Sequence, residues 1–227
     1  MVFAAKNFKT SGLEVFENTV RSVIKIRYFP EIWYLTESWL QTIKGRRVLI
    51  LGYGLGLVGE ALAKVGWRVT VVDPSVKTLT ELKRRFALAN LEGAFQQCHL
   101  EKTPFQDAHF DAVLCINALE FSDDPRQLLN EITRLLIPGG HAVVSTFNRF
   151  SFWGISPIAR LTRLDDRKIE GSFLDKSMFE HLLSKSSLTL SNLVARAHYM
   201  PLGGICLKFK LPVPGAYVAL VQRKLKN

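Results

Sequence analysis

Apolar and polar positions follow two rhythms along this chain, and the switch from one to the other marks its elements. Short apolar runs end at Leu51, Val72, Ile116 and Phe147, and they predict strands at Arg47–Leu51, Arg68–Val72, Phe110–Ile116 and His141–Phe147. A further strand is expected at Phe95–His99, and the stretch from Gly215 to Val221 suits a last, antiparallel one. Between the second and third strands, apolar residues at 76, 79, 82 and 86 recur at helical spacing, which predicts a helix from Ser75 to about Asn90. Asp124 and Pro125 open another helix to Leu136, with Pro138-Gly139-Gly140 as its terminator. A shorter helix is expected from Leu57 to Lys64, closed by Gly66. The first 45 residues read as two helices, about Leu13 to Lys25 and Glu31 to Ile43, with Pro30 at the start of the second. Strands alternating with helices call for a parallel sheet with right-handed crossovers. The run from Phe110 to Ile116 suits a central strand buried on both faces.

The first strand runs straight into three alternate glycines, Gly52, Gly54 and Gly56. Glycine turns tightly with positive φ and lets a ligand approach the backbone, and the following helix aims its N-terminal amides at the same place. The second strand ends in Asp73, whose carboxylate can accept two hydrogen bonds from a ribose diol. Strand, glycine turn, helix, strand and acid in this order define a nucleotide site. Read through Gly54, Gly56 and Gly59, the turn mimics a dinucleotide fingerprint, but Gly59 lies closer to Asp73 than the about 20 residues such a unit uses.

Composition narrows the class. The 227 residues are 48% hydrophobic and 22% charged, which fits one globular α/β domain. No repeat or low-complexity tract is present, no apolar run approaches the roughly 18–20 residues of a membrane span, and the N-terminus lacks the apolar core of a secretion signal. Cys98, Cys115 and Cys206 are odd in number and share no metal-ligand spacing, so reduced thiols, no metal site and a cytoplasmic setting are expected. The 30 Lys and Arg against 20 Asp and Glu leave a net charge of +10, which favours anionic partners. Without a dense basic block, zinc site or RNA module, nucleic acid is not the expected one.

Taken as Gly52, Gly54 and Gly56, the turn resembles the first motif of class I S-adenosylmethionine-dependent methyltransferases, and Val72 to Leu79 resembles the second. Thr103 to Val113 is similar to the family's "LPF…FD-V" stretch, and Ala118–Pro125 with Leu136–Gly140 resembles the segment before the fifth strand. These motifs span about residues 46 to 148 and resemble most the small ubiquinone/menaquinone-biosynthesis-like group. The resemblance implies a doubly wound, mostly parallel seven-stranded sheet with N-terminal helices and a lid insert. It implies one domain: a helical cap over 1–45, a cofactor core over 46–148, a substrate side over 149–214, and a last strand and tail over 215–227. It also implies S-adenosyl-L-methionine as cofactor, with Gly52, Tyr53, Gly54 and Gly56 around its methionine end, Asp73 on the ribose, Pro74, His99 and Leu100 at the adenine, and Asn117 close to the methyl group. Two positions depart from the family: Ile50 and His99 stand where acidic residues are usual.

Methyl transfer needs alignment more than acid–base help, and no base is assigned. His109, His141 and His181 read as structural or surface residues, and His198 stays open. Substrate contacts are expected from Arg149 and Trp153, in an insert mixing aromatics with Arg, and from Tyr34. Aromatic surface beside positive charge would suit a small amphiphilic or anionic acceptor and peripheral contact with a membrane; a lid of ordinary core aromatics fits as well. Two other functions remain open: a nicotinamide-dependent oxidoreductase, and a non-catalytic nucleotide-binding protein that keeps the fold.

Overall fold

Seven strands carry the molecule: β1 (Arg47–Leu51), β2 (Arg68–Val72), β3 (Ala94–Gln96), β4 (Phe110–Ile116), β5 (Leu136–Phe147), β6 (Leu188–Arg196) and β9 (Ala216–Arg223), the last numbered after the separate pair β7 (Tyr199–Leu202) and β8 (Ile205–Lys208). The structure is a computed structural model that describes residues 29–52, 57–119, 122–151, 173–196, 199–202, 205–208 and 216–224. Sheet order is β3-β2-β1-β4-β5-β9-β6. β3, β2, β1, β4 and β5 run parallel, and β9 is antiparallel to both its neighbours.

Among the described residues, five helices lie against the sheet: α1 (Phe29–Leu40), α2 (Leu57–Lys64), α3 (Val76–Leu88), α4 (Pro125–Leu135) and α5 (Lys176–Ser184). Alternation along the strands divides the core between the two faces. Val48, Ile50, Ala112 and Leu114 pack with Leu40 of α1, Leu62 of α2 and Leu82 and Phe86 of α3. Leu49, Leu51, Val113 and Cys115 pack instead with Leu128 and Ile132 of α4 and with Phe179 and Leu183 of α5. That two-sided burial is why β4 is apolar at nearly every position: all seven of its residues are buried. The exception, Asp111, is held by Arg47, whose backbone N–H donates to Oδ2 at 2.9 Å and whose guanidinium reaches Oδ1 at 3.0 Å. Burial pushes the Asp111 carboxyl up, but the bonds from Arg47 outweigh it and leave the pKa below the ordinary value.

Local signals start the helices. Ser75 caps α3 through Thr78 N–H, Asp124 caps α4 ahead of Pro125, and Asp175 caps α5 through Met178 N–H. Several expectations need correction. β3 is only Ala94–Gln96, so His99 lies outside it. α4 ends at Leu135, and Pro138-Gly139-Gly140 lies inside β5 rather than between helix and strand, at a register irregularity against Phe110–Ala112. A proline is tolerated there because the ladder is already interrupted. The segment read as a loop from His198 holds the β7–β8 hairpin, and β6, unassigned from sequence, closes the sheet. The first expected helix and the insert beyond Ser151 fall outside the described residues. Among those described, no helix is long and apolar enough to cross a membrane.

Candidate functional site

Strand order reverses between β1 and β4, and an open α/β sheet binds ligands in the crevice beyond the carboxyl ends at such a point. Gly52 leaves β1 there with φ +70, and its N–H donates to Val72 O at 2.9 Å. A Cβ on Gly52 would come within 2.9 Å of Ala118 Cβ and 3.2 Å of Leu100 Cδ1. Three segments therefore converge: the β1 exit, the stretch after β3 that carries Leu100, and the β4 exit with Asn117 and Ala118. Asp73 follows β2 at 9% exposure, its Oδ1 accepting from Ser75 N–H at 2.8 Å. Asn117 is 6% exposed with φ +50.

The adenine side is less built. Pro74 is exposed, its carbonyl accepting from Gln97 Nε2 at 3.1 Å, and His99 is exposed beyond the end of β3. Leu100 places its side chain in the core under the glycine turn, so only its backbone is left to meet a ligand. Ile50, at the family's acidic position, turns its Cδ1 to within 3.2 Å of where a Cβ on Gly59 would lie. The third glycine of the dinucleotide reading thus serves helix-to-strand packing, and a carboxylate at 50 would be buried in an apolar layer.

Polar supports behind the site were not legible in the sequence. Glu101 accepts from Ser122 Oγ at 2.5 Å and Asp123 N–H at 3.0 Å, tying the stretch after β3 to the one after β4. Buried Glu131 on α4 accepts from Thr103 N–H at 2.8 Å, Thr103 Oγ1 at 2.7 Å and Arg134 Nη2 at 2.7 Å, while Arg134 Nη1 donates to Phe105 O and to Asp107. Burial raises the Glu131 carboxyl, yet the bonds from Arg134 and Thr103 prevail and hold its pKa down; the same pair raises that of Arg134. A capped, alternating pattern marks helices and strands, but no local rule pairs residues nearly thirty positions apart.

On the expected substrate side, Tyr34 is 72% exposed on α1. Arg149 follows β5 with its guanidinium 5.4 Å from the Phe150 ring and Nη1 at 3.5 Å from Met178 Sδ of α5. Tyr53, Gly54, Gly56 and Trp153 lie outside the described residues, as does His198. His109 is exposed and stacked on Phe105, and His181 is exposed on α5. His141 sits in β5 opposite Ala112, four residues before Ser145 and so roughly 13 Å along the strand from the β4 exit. Burial pushes its pKa down.

A turn with positive φ that only a residue without Cβ can occupy, a buried carboxylate at the end of the neighbouring strand, and a strand-order reversal on the other side of the turn define a doubly wound α/β fold with a nucleotide-type site. Comparison with known proteins takes the assignment one step further. Residues 49–144 match the family described as a methyltransferase domain. A ubiquinone biosynthesis O-methyltransferase of Alkalilimnicola ehrlichii is 39% identical over 109 residues, 47% of this chain and 44% of that protein. One from Psychrobacter arcticus is 28% identical over 171 residues, covering 70% and 65%. Among solved structures, a Pyrococcus horikoshii protein shares 19% identity at TM-score 0.67 over 96% of this chain and 100% of its own. A SAM-dependent methyltransferase from Methanosarcina mazei shares 15% at 0.65 over 83% and 98%. The [4+2]-cyclase SpnF shares 15% at 0.66 over 86% and 81%, so this fold hosts other chemistry too. Over residues 49–144 the chain is similar to a methyltransferase domain, and the cofactor this similarity indicates is S-adenosyl-L-methionine. The matches span from under half to about two thirds of those curated relatives' length.

Proposed function

We propose that this protein transfers a methyl group from S-adenosylmethionine to an oxygen of a small amphiphilic acceptor of the quinone-precursor type. One arrangement carries the reading: Gly52, Asp73 and Asn117 standing at the carboxyl ends of β1, β2 and β4 around the sheet's reversal. The residues fit the cofactor. The cleft wall at Gly52 leaves no room for a side chain beside Ala118, and Asp73 offers a carboxylate to a ribose diol. Bound S-adenosylmethionine supplies a methyl on a sulfonium centre, which a nucleophilic oxygen can take while the sulfur leaves as a neutral thioether.

The chain's own part is alignment. Gly52 keeps the turn shallow, Asp73 fixes the sugar, and the Asn117–Ala118 exit forms the wall on the β4 side. His141 lies roughly 13 Å along β5 from the β4 exit, and no residue is assigned as a base. The curated relatives' role in ubiquinone biosynthesis supports an apolar-tailed acceptor. So does the surface beside β5, where Phe150 is 56% and Met178 41% exposed around Arg149. That surface also suits peripheral contact with an anionic membrane; binding to phosphatidylglycerol vesicles but not phosphatidylcholine ones is expected, and equal binding would remove charge from the account.

Calorimetric titration with S-adenosylhomocysteine, run beside NADH, tests the cofactor. Micromolar binding of the former alone is expected, and binding of NADH alone would overturn the reading. Asp73→Ala should weaken S-adenosylhomocysteine at least 10-fold with the fold intact by circular dichroism; unchanged affinity would remove Asp73 from the site. Methylation of a phenol bearing a prenyl tail, followed by mass spectrometry, tests the acceptor class.

A further inference from the structure

Ser145 has no place in the site as read so far, yet it is the buried partner of the most constrained residue there. It lies in β5 at 0% exposure, in register with Ile116, the last residue of β4. Its hydroxyl accepts from the Asn117 backbone N–H at 3.0 Å and donates to Asn117 Oδ1 at 2.8 Å. One side chain thus fixes both the backbone and the carboxamide of a single neighbour.

Asn117 needs that hold. Its φ of +50 lies in the left-handed region, which Asn adopts when local hydrogen bonds support it. Such a conformation persists when the surroundings over-determine it, and it concentrates at functional positions. Packing does not ask for a hydroxyl at 145. The residues before it, Ala142, Val143 and Val144, are apolar and buried, and an unpaired buried hydroxyl would be costly. The two bonds to Asn117 satisfy it. They hold the residue next to Ala118, which lies where a Cβ on Gly52 would collide. With Oδ1 turned toward β5, the planar carboxamide carries its NH2 donors on the opposite side.

We propose that Ser145 is a positioning residue of the cofactor cleft, acting through Asn117: its hydroxyl sets the left-handed turn and the carboxamide orientation that the cofactor-binding wall requires. The inference rests on the methyltransferase reading. It is tested by titrating S-adenosylhomocysteine into wild type, Ser145→Ala, Asn117→Gly and the double variant, with thermal unfolding of each. Glycine at 117 removes the carboxamide while accepting the positive φ without strain.

Ser145→Ala is expected to weaken S-adenosylhomocysteine about 10-fold, or about 1.4 kcal/mol, and to add less than about 2-fold once Asn117 is glycine. If Ser145→Ala does not fold, Ser145→Cys, similar in volume but a weaker partner in both bonds, carries the same comparison. A lowered Tm with wild-type affinity would overturn the proposal and make Ser145 purely structural. So would an equal loss of affinity with and without Asn117. Failure of the wild type itself to bind S-adenosylhomocysteine would instead overturn the methyltransferase reading on which the proposal rests.

Discussion

At the scale of single residues, the site is built from positions where ordinary side chains do not fit or do not rest. Gly52 combines φ +70 with 2.9 Å to Ala118 Cβ, so Gly52→Ala meets both backbone strain and a collision. It should cost roughly 1–2 kcal/mol of stability and weaken S-adenosylhomocysteine. Thermal unfolding with parallel calorimetry checks this, and wild-type values in both would mean that the turn is free to relax. The glycine and Asp73 were legible in sequence because each carries a local signal, a break after an apolar run and an acid at a strand end. Ser145 was not. It reads as one more position in a strand, and only its register opposite Ile116 reveals what it touches.

At the scale of elements, caps and periodicity predicted α3 and α4 well, because the cap residue and the buried stripe are both local. They failed where pairing decides. The Pro138-Gly139-Gly140 turn signal was overruled by β4, which recruits the segment into β5 at an interrupted register. β6 escaped notice because Leu188–Arg196 has polar residues at both faces and becomes a strand through its partner β9. The Glu131–Arg134–Thr103 network belongs to this scale, since it fastens the stretch after β3 onto α4. Glu131→Gln should lower stability by about 2 kcal/mol, the range for bonds to a charged group.

The pH dependence follows with a definite sign. Glu131 and Asp111 have folded pKa values below their ordinary 4.5 and 3.8. Their stabilisation is therefore present above those values and is lost as pH falls toward the folded ones. Urea unfolding should show wild-type stability dropping below about pH 4.5, and Glu131→Gln should show a shallower drop. Parallel slopes would mean that Glu131 gains nothing on folding.

At the scale of the whole molecule, β4 is the keel. It is buried throughout and carries the Asp111 anchor to β1, while β9 is tied back by Arg223, which donates to the carbonyls of Arg134 and Leu136. Hydrogen exchange should find β4 and β1 amides slowest and α1 among the fastest; a β4 that exchanged as quickly as α1 would remove it from the stable core.

The sequence by itself determined the α/β alternation, the glycine turn, the carboxylate after β2 and the family they resemble, because each rests on near neighbours in the chain. Tertiary structure alone decided that Ile50 packs toward Gly59, that Glu131 clamps Thr103, and that Ser145 holds Asn117. Those are contacts across the sheet, between sheet and helix, or between a loop and a helix. Their partners are chosen by strand order and register, which local propensity does not encode.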